Sequence, residues 1–168
     1  MQRLYCLLAI VVALVVSVSS APLVKRGYTI HLNSDTAFCS FMPPKPGDDV
    51  GGTENQGIPM CSSASLSSSG KVFPTGFIVT AHYVKTSTYV QVTGRMNRSK
   101  YSLKATDGGG QYDHKDISGV TCNGYKYFVN MLEPDADRYC IRCCQSSTDC
   151  NTGKSTYGCP RVVPGNYS

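Results

Sequence analysis

Three cysteines, Cys140, Cys143 and Cys144, fall within one short stretch, Arg138-Tyr139-Cys140-Ile141-Arg142-Cys143-Cys144, that reads as a β-strand. A strand rises ~3.3 Å per residue, so Cys140 lies ~10 Å from Cys143 and ~13 Å from Cys144, past the ~7 Å that a disulfide can span. A bond between the neighbours Cys143 and Cys144 falls short of the usual range. All three must therefore pair elsewhere in the chain. Strand alternation puts Cys143 on the face of Tyr139 and Ile141, with Cys140 and Cys144 on the other face. One strand thus anchors crosslinks on both of its surfaces.

The cysteine count depends on the N-terminus. The chain has nine, and Cys6 lies in an apolar run, Leu4 to Val16, that follows Arg3 and precedes the small residues Ser17 to Ala21. This is the pattern of a secretory signal peptide, assigned to residues 1–20, and the run is short of the ~20 residues of a membrane span. Lys25-Arg26 closes a short pro-segment, 21–26, and looks like the dibasic site of kexin-type processing proteases. The remaining domain, 27–168, keeps Cys39, Cys61, Cys122, Cys140, Cys143, Cys144, Cys150 and Cys159. An even set in an oxidising compartment implies four disulfides, with 105 formal connectivities. Closure of the C-terminal loop by a Cys150–Cys159 bond would leave few of them. The C-x2-C-C-x5-C spacing resembles a zinc ligand set, but secretion and even parity favour disulfides. No metal and no cofactor is expected.

Processing also changes the balance of charge. Arg3, Lys25 and Arg26 are three of the 16 Lys+Arg, so their loss leaves 13 against 11 Asp+Glu, a net charge of +2 in place of +5. That is too weak and too scattered a field for nucleic acid. The mature segment is poor in Leu, Ile, Val and Phe but holds ten of the eleven Tyr. Stability is expected to rest on crosslinks, each worth ~2–4 kcal/mol, more than on an aliphatic core.

Period-2 patterns dominate. Tyr28–Leu32 and Phe38–Met42 read as strands. Phe77–Val84 and Thr88–Thr93, joined by Lys85-Thr86-Ser87, read as a hairpin. Gly94 is placed at a bend or end of its second strand. Tyr125–Leu132, a turn over 133–137 and the cysteine-bearing strand form another hairpin. Gln145–Cys150 has room for one helical turn. The fold class is all-β or nearly so, a small disulfide-stapled β-sandwich or barrel in a single domain. Ser62–Gly70 reads as an exposed loop. Asn97-Arg98-Ser99 is an N-glycosylation sequon, and Asn166-Tyr167-Ser168 a second at the chain end. No membrane anchor is expected after processing, because no hydrophobic tail suited to a lipid anchor is present.

Cys39–Asp49, Ala81–Val84, Tyr89–Gly94, Gly108–Asp113 and Arg138–Cys144 resemble segments of a group of small secreted, cysteine-rich proteins of filamentous fungi. The resemblance runs from about Phe38 to Tyr167. It implies secretion and fungal origin and carries nothing about chemistry.

The most site-like stretch is Asp107 to Asp116. Gly108, Gly109 and Gly110 would let backbone approach a ligand beside Gln111, and Tyr112, Asp113, His114 and Asp116 could stack on or hydrogen-bond a sugar. The bland reading is a glycine-rich connection. His82 with Asp113 or Asp116 is the candidate acid/base pair of a small polysaccharide hydrolase. The acidic groups Asp48, Asp49, Glu54 and Glu133, Asp135, Asp137 lack the spacing of a calcium loop and read as turns. Tyrosines could form a carbohydrate platform or fill the core. These features favour a secreted, non-enzymatic extracellular or cell-wall protein that binds wall polysaccharide or an extracellular host or competitor protein. A hydrolase is the alternative, and an antimicrobial or inhibitor protein the third reading.

Overall fold

The β-branched and aromatic runs of the sequence pair into one five-stranded antiparallel sheet in a computed structural model that describes residues 27–168. Residues 1–20 and 21–26, expected from the sequence to be a signal peptide and a pro-segment ending in Lys25-Arg26, lie outside the described residues. In chain order the strands are β1 (Thr29–Ile30), β2 (Cys39–Met42), β3 (Ile58–Cys61), β4 (His82–Lys85), β5 (Tyr89–Arg95), β6 (Gly110–Asp113), β7 (Thr121–Cys122), β8 (Tyr127–Glu133) and β9 (Arg138–Cys144). The large sheet runs β4-β5-β9-β8-β6. β2 and β3 make an antiparallel pair, and β1 and β7 a short parallel one. The fold is all-β and sandwich-like, and β4 and β6 remain as separate edges, so the sheet does not close into a barrel.

Both predicted hairpins form, with shifted bounds. β4 begins at His82, because the chain before it bulges beside β5: the Val79 and Thr80 amides both donate to the Arg95 carbonyl, and Ile78 pairs again with Met96. The bulge explains Gly94, which sits inside β5 and does not end it. A Cβ there would lie 2.1 Å from the Thr80 carbonyl oxygen, which also accepts from the Tyr139 hydroxyl at 2.9 Å. Residues 145–150 form turns. The single α-helix among the described residues is α1 (Cys159–Val162), with Pro160 in its first turn, where a missing amide hydrogen does no harm.

Alternation along β9 gives the sheet two covered faces. Tyr139, Ile141 and Cys143 join Val90, Val92, Phe128, Leu132 and Tyr112 in the larger core. β2 lies over this face, with Phe41 stacked on Phe128 at 5.0 Å and Phe38 on Tyr139 at 5.8 Å. Asn130, fully buried, joins the two sheets: its Oδ1 accepts from the Ser40 hydroxyl and the Phe41 amide, each at 2.8 Å. On the opposite face Val129, Met131, Cys140 and Cys144 meet Cys150, Cys159, Val162 and Val163.

That second face is partly polar, and the C-terminal segment straps it with hydrogen bonds. Arg142 donates to Gln91 Oε1 at 2.8 Å and to the Asp149 carbonyl at 3.0 Å, and its guanidinium stacks on Tyr89. Gln91 Nε2 donates to the Pro164 carbonyl and the Thr93 hydroxyl to that of Asn166.

The four disulfides are Cys39–Cys61, Cys122–Cys143, Cys140–Cys159 and Cys144–Cys150. As the strand geometry requires, Cys140, Cys143 and Cys144 pair with cysteines elsewhere, on the two faces that alternation assigns. A Cys150–Cys159 closure does not form. Both of these cysteines reach up to β9 instead, because Cys140 and Cys144 face the segment that carries them. Among the described residues no helix is long and apolar enough to cross a membrane.

Candidate functional site

The glycine-rich segment is a packing device before it is a binding loop. Asp107 is buried, with Oδ2 accepting from the Val50 amide at 3.0 Å and Oδ1 from the Gly109 amide at 2.8 Å. Gly109 has φ +91°, and a Cβ on it would lie 2.0 Å from the Leu132 carbonyl oxygen. A Cβ on Gly110 would lie 2.8 Å from Gly51 Cα. These two glycines let β6 slide between β8 and the turn at 51–53.

The side chains that follow are mostly spent on structure. Tyr112 is buried in the larger core with its hydroxyl 3.0 Å from Thr53 Oγ1, and burial raises its pKa above the usual phenol range. Gln111 Nε2 donates to Asp113 Oδ2 at 2.5 Å and to the Thr152 carbonyl at 2.9 Å. Asp113, 1 % exposed, accepts from the Lys115 and Asp116 amides through Oδ1. It caps the turn after β6. Asp116 is exposed.

The pairing of His82 with Asp113 or Asp116 is not found. His82 lies on β4 and Asp113 ends β6, the two opposite edges of the sheet. Four inter-strand spacings of about 4.8 Å put them about 19 Å apart. His82 instead places Nε2 3.0 Å from the Ser168 carbonyl. Sequence reasoning joined residues by type, while the register set them on different edges. Part of the tyrosine content goes to the core, as the second of the two sequence readings has it. Tyr101, Tyr112 and Tyr139 fill the core, each with its hydroxyl hydrogen-bonded, as buried tyrosines require.

What the fold does bring together is one carboxylate from each acidic group. Glu54 and Glu133 flank Gly108, Gly109 and Gly110 in a cleft of about 400 Å³ that Thr156 and Gly158 close from the C-terminal side. Glu54 holds its place through Oε1, which accepts from the Gln111 amide at 2.8 Å. Glu133 is 8 % exposed, with Oε2 3.3 Å from Arg138 Nε. Burial raises its pKa, and Arg138 and the Cys159 amide offset that only in part. Gly158, at φ +74°, passes directly over this carboxylate: a Cβ there would lie 2.4 Å from Oε1. Beside the cleft Tyr157 is 56 % exposed, with the Arg161 guanidinium 5.4 Å from its ring centre.

The arrangement offers carboxylate acceptors, glycine backbone without side chains and one exposed aromatic face. Those groups recognise hydroxyls and the apolar face of a sugar ring. Sequence reasoning missed the cleft because Glu54 and Glu133 each read as turn residues. The only local signal was the glycine run between them. Three of the other four carboxylates of the two groups serve turns and an ion pair. Asp48 and Asp49 accept from the Lys45 and Gly52 amides, and Asp137 pairs with Arg98 at 2.6 Å. No group of three or more metal-ligating side chains occurs among the described residues.

Fold and cleft together define a small all-β domain held by four disulfides, a type of crosslink that forms in oxidising compartments. In sequence the chain is similar to two curated fungal proteins of Mycosarcoma maydis. It is 28 % identical to Appressorium protein ROW1 over 158 residues, 83 % of this chain and 37 % of the relative. It is 29 % identical to Appressorium protein ROW2 over 157 residues, 82 % of this chain and 53 % of the relative. The chain thus spans between about a third and about half of the length of these relatives. No known protein family matches it, and no solved structure does.

Proposed function

We propose that this chain works outside the cell, at the surface of a fungal infection structure, as a non-enzymatic module that holds cell-wall polysaccharide in the Glu54–Glu133 cleft. Similarity to two appressorium proteins over most of the chain supports the setting. The disulfides suit an extracellular life among proteases. The observation that carries the binding site is the convergence of Glu54, Glu133 and glycine backbone beside the exposed ring of Tyr157. His82 and the Asp113 carboxylate stand at opposite sheet edges, which supports a binding role over hydrolysis by that pair.

The test is co-sedimentation of the purified, oxidised protein with insoluble chitin, chitosan and β-glucan, alongside an assay for released reducing sugar. Retention on one polymer without sugar release is expected. Glu54→Gln with Tyr157→Ala should weaken retention at least about tenfold, a loss of ~1.4 kcal/mol, with an unchanged circular dichroism spectrum. Sugar release would overturn the non-enzymatic reading. Failure to bind any of the polymers, or full retention by the double variant, would overturn the cleft as the binding site.

A further inference from the structure

A second groove, of about 490 Å³, opens at the far end of β5, lined by Val79, Arg95, Asn97, Arg98 and Asp137. Asn97 is the first residue of the sequon Asn97-Arg98-Ser99. It starts the turn at 98–101, and its Oδ1 accepts from the Ser99 amide at 3.2 Å and the Ser99 hydroxyl at 2.6 Å. Among the described residues its Nδ2 forms no hydrogen bond. The acceptor atom is therefore committed to the fold, while the nitrogen that a sugar would occupy is not, on a residue that lines the groove. Val79, 58 % exposed, offers an apolar patch there, and Arg95, Arg98 and Asp137 offer donors and acceptors.

The second sequon is arranged the other way. Asn166 Nδ2 lies 3.4 Å from His82 Nδ1, and its Oδ1 accepts from both the amide and the hydroxyl of Ser168. The Asn166 carbonyl accepts from the Thr93 hydroxyl at 2.7 Å, which holds this segment down on β5. A sugar on this nitrogen would displace the His82 contact and lift the strap.

We propose that Asn97 carries an N-linked, N-acetylglucosamine-based glycan whose first sugars lie in the adjoining groove, and that Asn166 stays bare. The inference rests on the secretory part of the proposed function. The reaction is glycosyl transfer from a lipid-diphosphate-linked oligosaccharide. A bond forms between Nδ2 and C1 of the reducing-end sugar, and the bond from C1 to the diphosphate oxygen breaks. The lipid diphosphate leaves, and an Nδ2 proton goes to a base of the transferase. The folded contacts show which site accommodates a sugar: one on Asn97 breaks no hydrogen bond, whereas one on Asn166 breaks the His82 contact. The groove would then be the seat of the protein's own glycan and not a site for a diffusible ligand.

The experiment is expression of the full chain in a fungal secretory host. The mass of the secreted protein is read before and after an amide-cleaving glycosidase, for wild type, Asn97→Asp, Ser99→Thr and Asn166→Asp. Asn97→Asp keeps the acceptor that caps the turn, so loss of sugar is separated from loss of the cap. One glycan is expected on wild type, Ser99→Thr and Asn166→Asp, and none on Asn97→Asp. Trimming to a single N-acetylglucosamine should leave Tm unchanged, and complete removal should lower it by a few degrees. A secreted chain without sugar, or with sugar on Asn166, overturns the assignment. Equal Tm for the three glycoforms overturns the groove as its seat. Retention in the cytosol with reduced cysteines overturns the secretory reading and this site together.

Discussion

Replacing Asn130 by Ala should be among the most damaging single substitutions outside the cysteines. Asn130 is fully buried between β2 and β8, and its Oδ1 is the acceptor for the Ser40 hydroxyl and the Phe41 amide. Alanine leaves the Phe41 amide without its acceptor and the Ser40 hydroxyl with only a long contact, 3.4 Å, to the Phe41 carbonyl, in a site that water does not reach. A buried orphaned donor costs ~1–3 kcal/mol, so two amount to ~2–6 kcal/mol, centred near ~4 kcal/mol. That is a large share of the ~5–15 kcal/mol by which domains of this size are stable. Urea unfolding at neutral pH with the disulfides intact reads it. The midpoint should fall by about 2 M at unchanged slope, for a slope near 2 kcal/mol/M. Ser40→Ala alone removes one donor cleanly and should cost ~1 kcal/mol. In the Asn130→Ala background the same change removes an orphan, so the double variant should be less damaged than the two effects added, by about 1–2 kcal/mol. A single-variant loss under about 0.5 kcal/mol, or simple additivity, would refute the view that this one amide oxygen joins the two sheets.

The two disulfides of the C-terminal strap should differ in worth. Cys140–Cys159 closes a separation of 19 residues and Cys144–Cys150 one of 6, so paired Cys→Ala variants should lose ~3 and ~2 kcal/mol respectively. Urea midpoints rank them, and the reverse order would show that the strap is not governed by loop entropy. Glu133 gives a pH signature. Burial raises its folded pKa above the ordinary carboxylate value of 4.5. Between that value and the raised one the folded chain binds more protons than the unfolded chain, so stability falls as pH rises through the window and levels off above it. Glu133→Gln should remove this slope in midpoints measured from about pH 4 to about pH 8, and an unchanged slope would count against the assignment.

Much of the architecture was legible because it depends on near neighbours. Period-2 alternation in Tyr127–Glu133 and Arg138–Cys144 marks strands whatever they pair with, and the span of a strand forbids bonds among Cys140, Cys143 and Cys144. The same alternation assigned those cysteines to opposite faces, as the two cores show. Strand bounds were less legible. Phe77–Ala81 has strand composition, but it bulges beside β5 at Gly94, and the Thr80 carbonyl takes the space of the missing side chain.

By itself the sequence determined an all-β domain, an even set of eight cysteines after Cys6 is set aside, and the opposed faces of the cysteine-bearing strand. Only the tertiary structure decided which cysteines meet, that Asp113 caps a turn while His82 stands on the far edge, and that Glu54 and Glu133 share a cleft across Gly108–Gly110. The physical reason is range. Strand geometry and alternation act over a few residues, whereas the cleft gathers segments around residues 54, 109, 133 and 157, which no local pattern connects. Their meeting is fixed by sheet order and by a strap bonded to β9, and both exist only once the whole chain has folded.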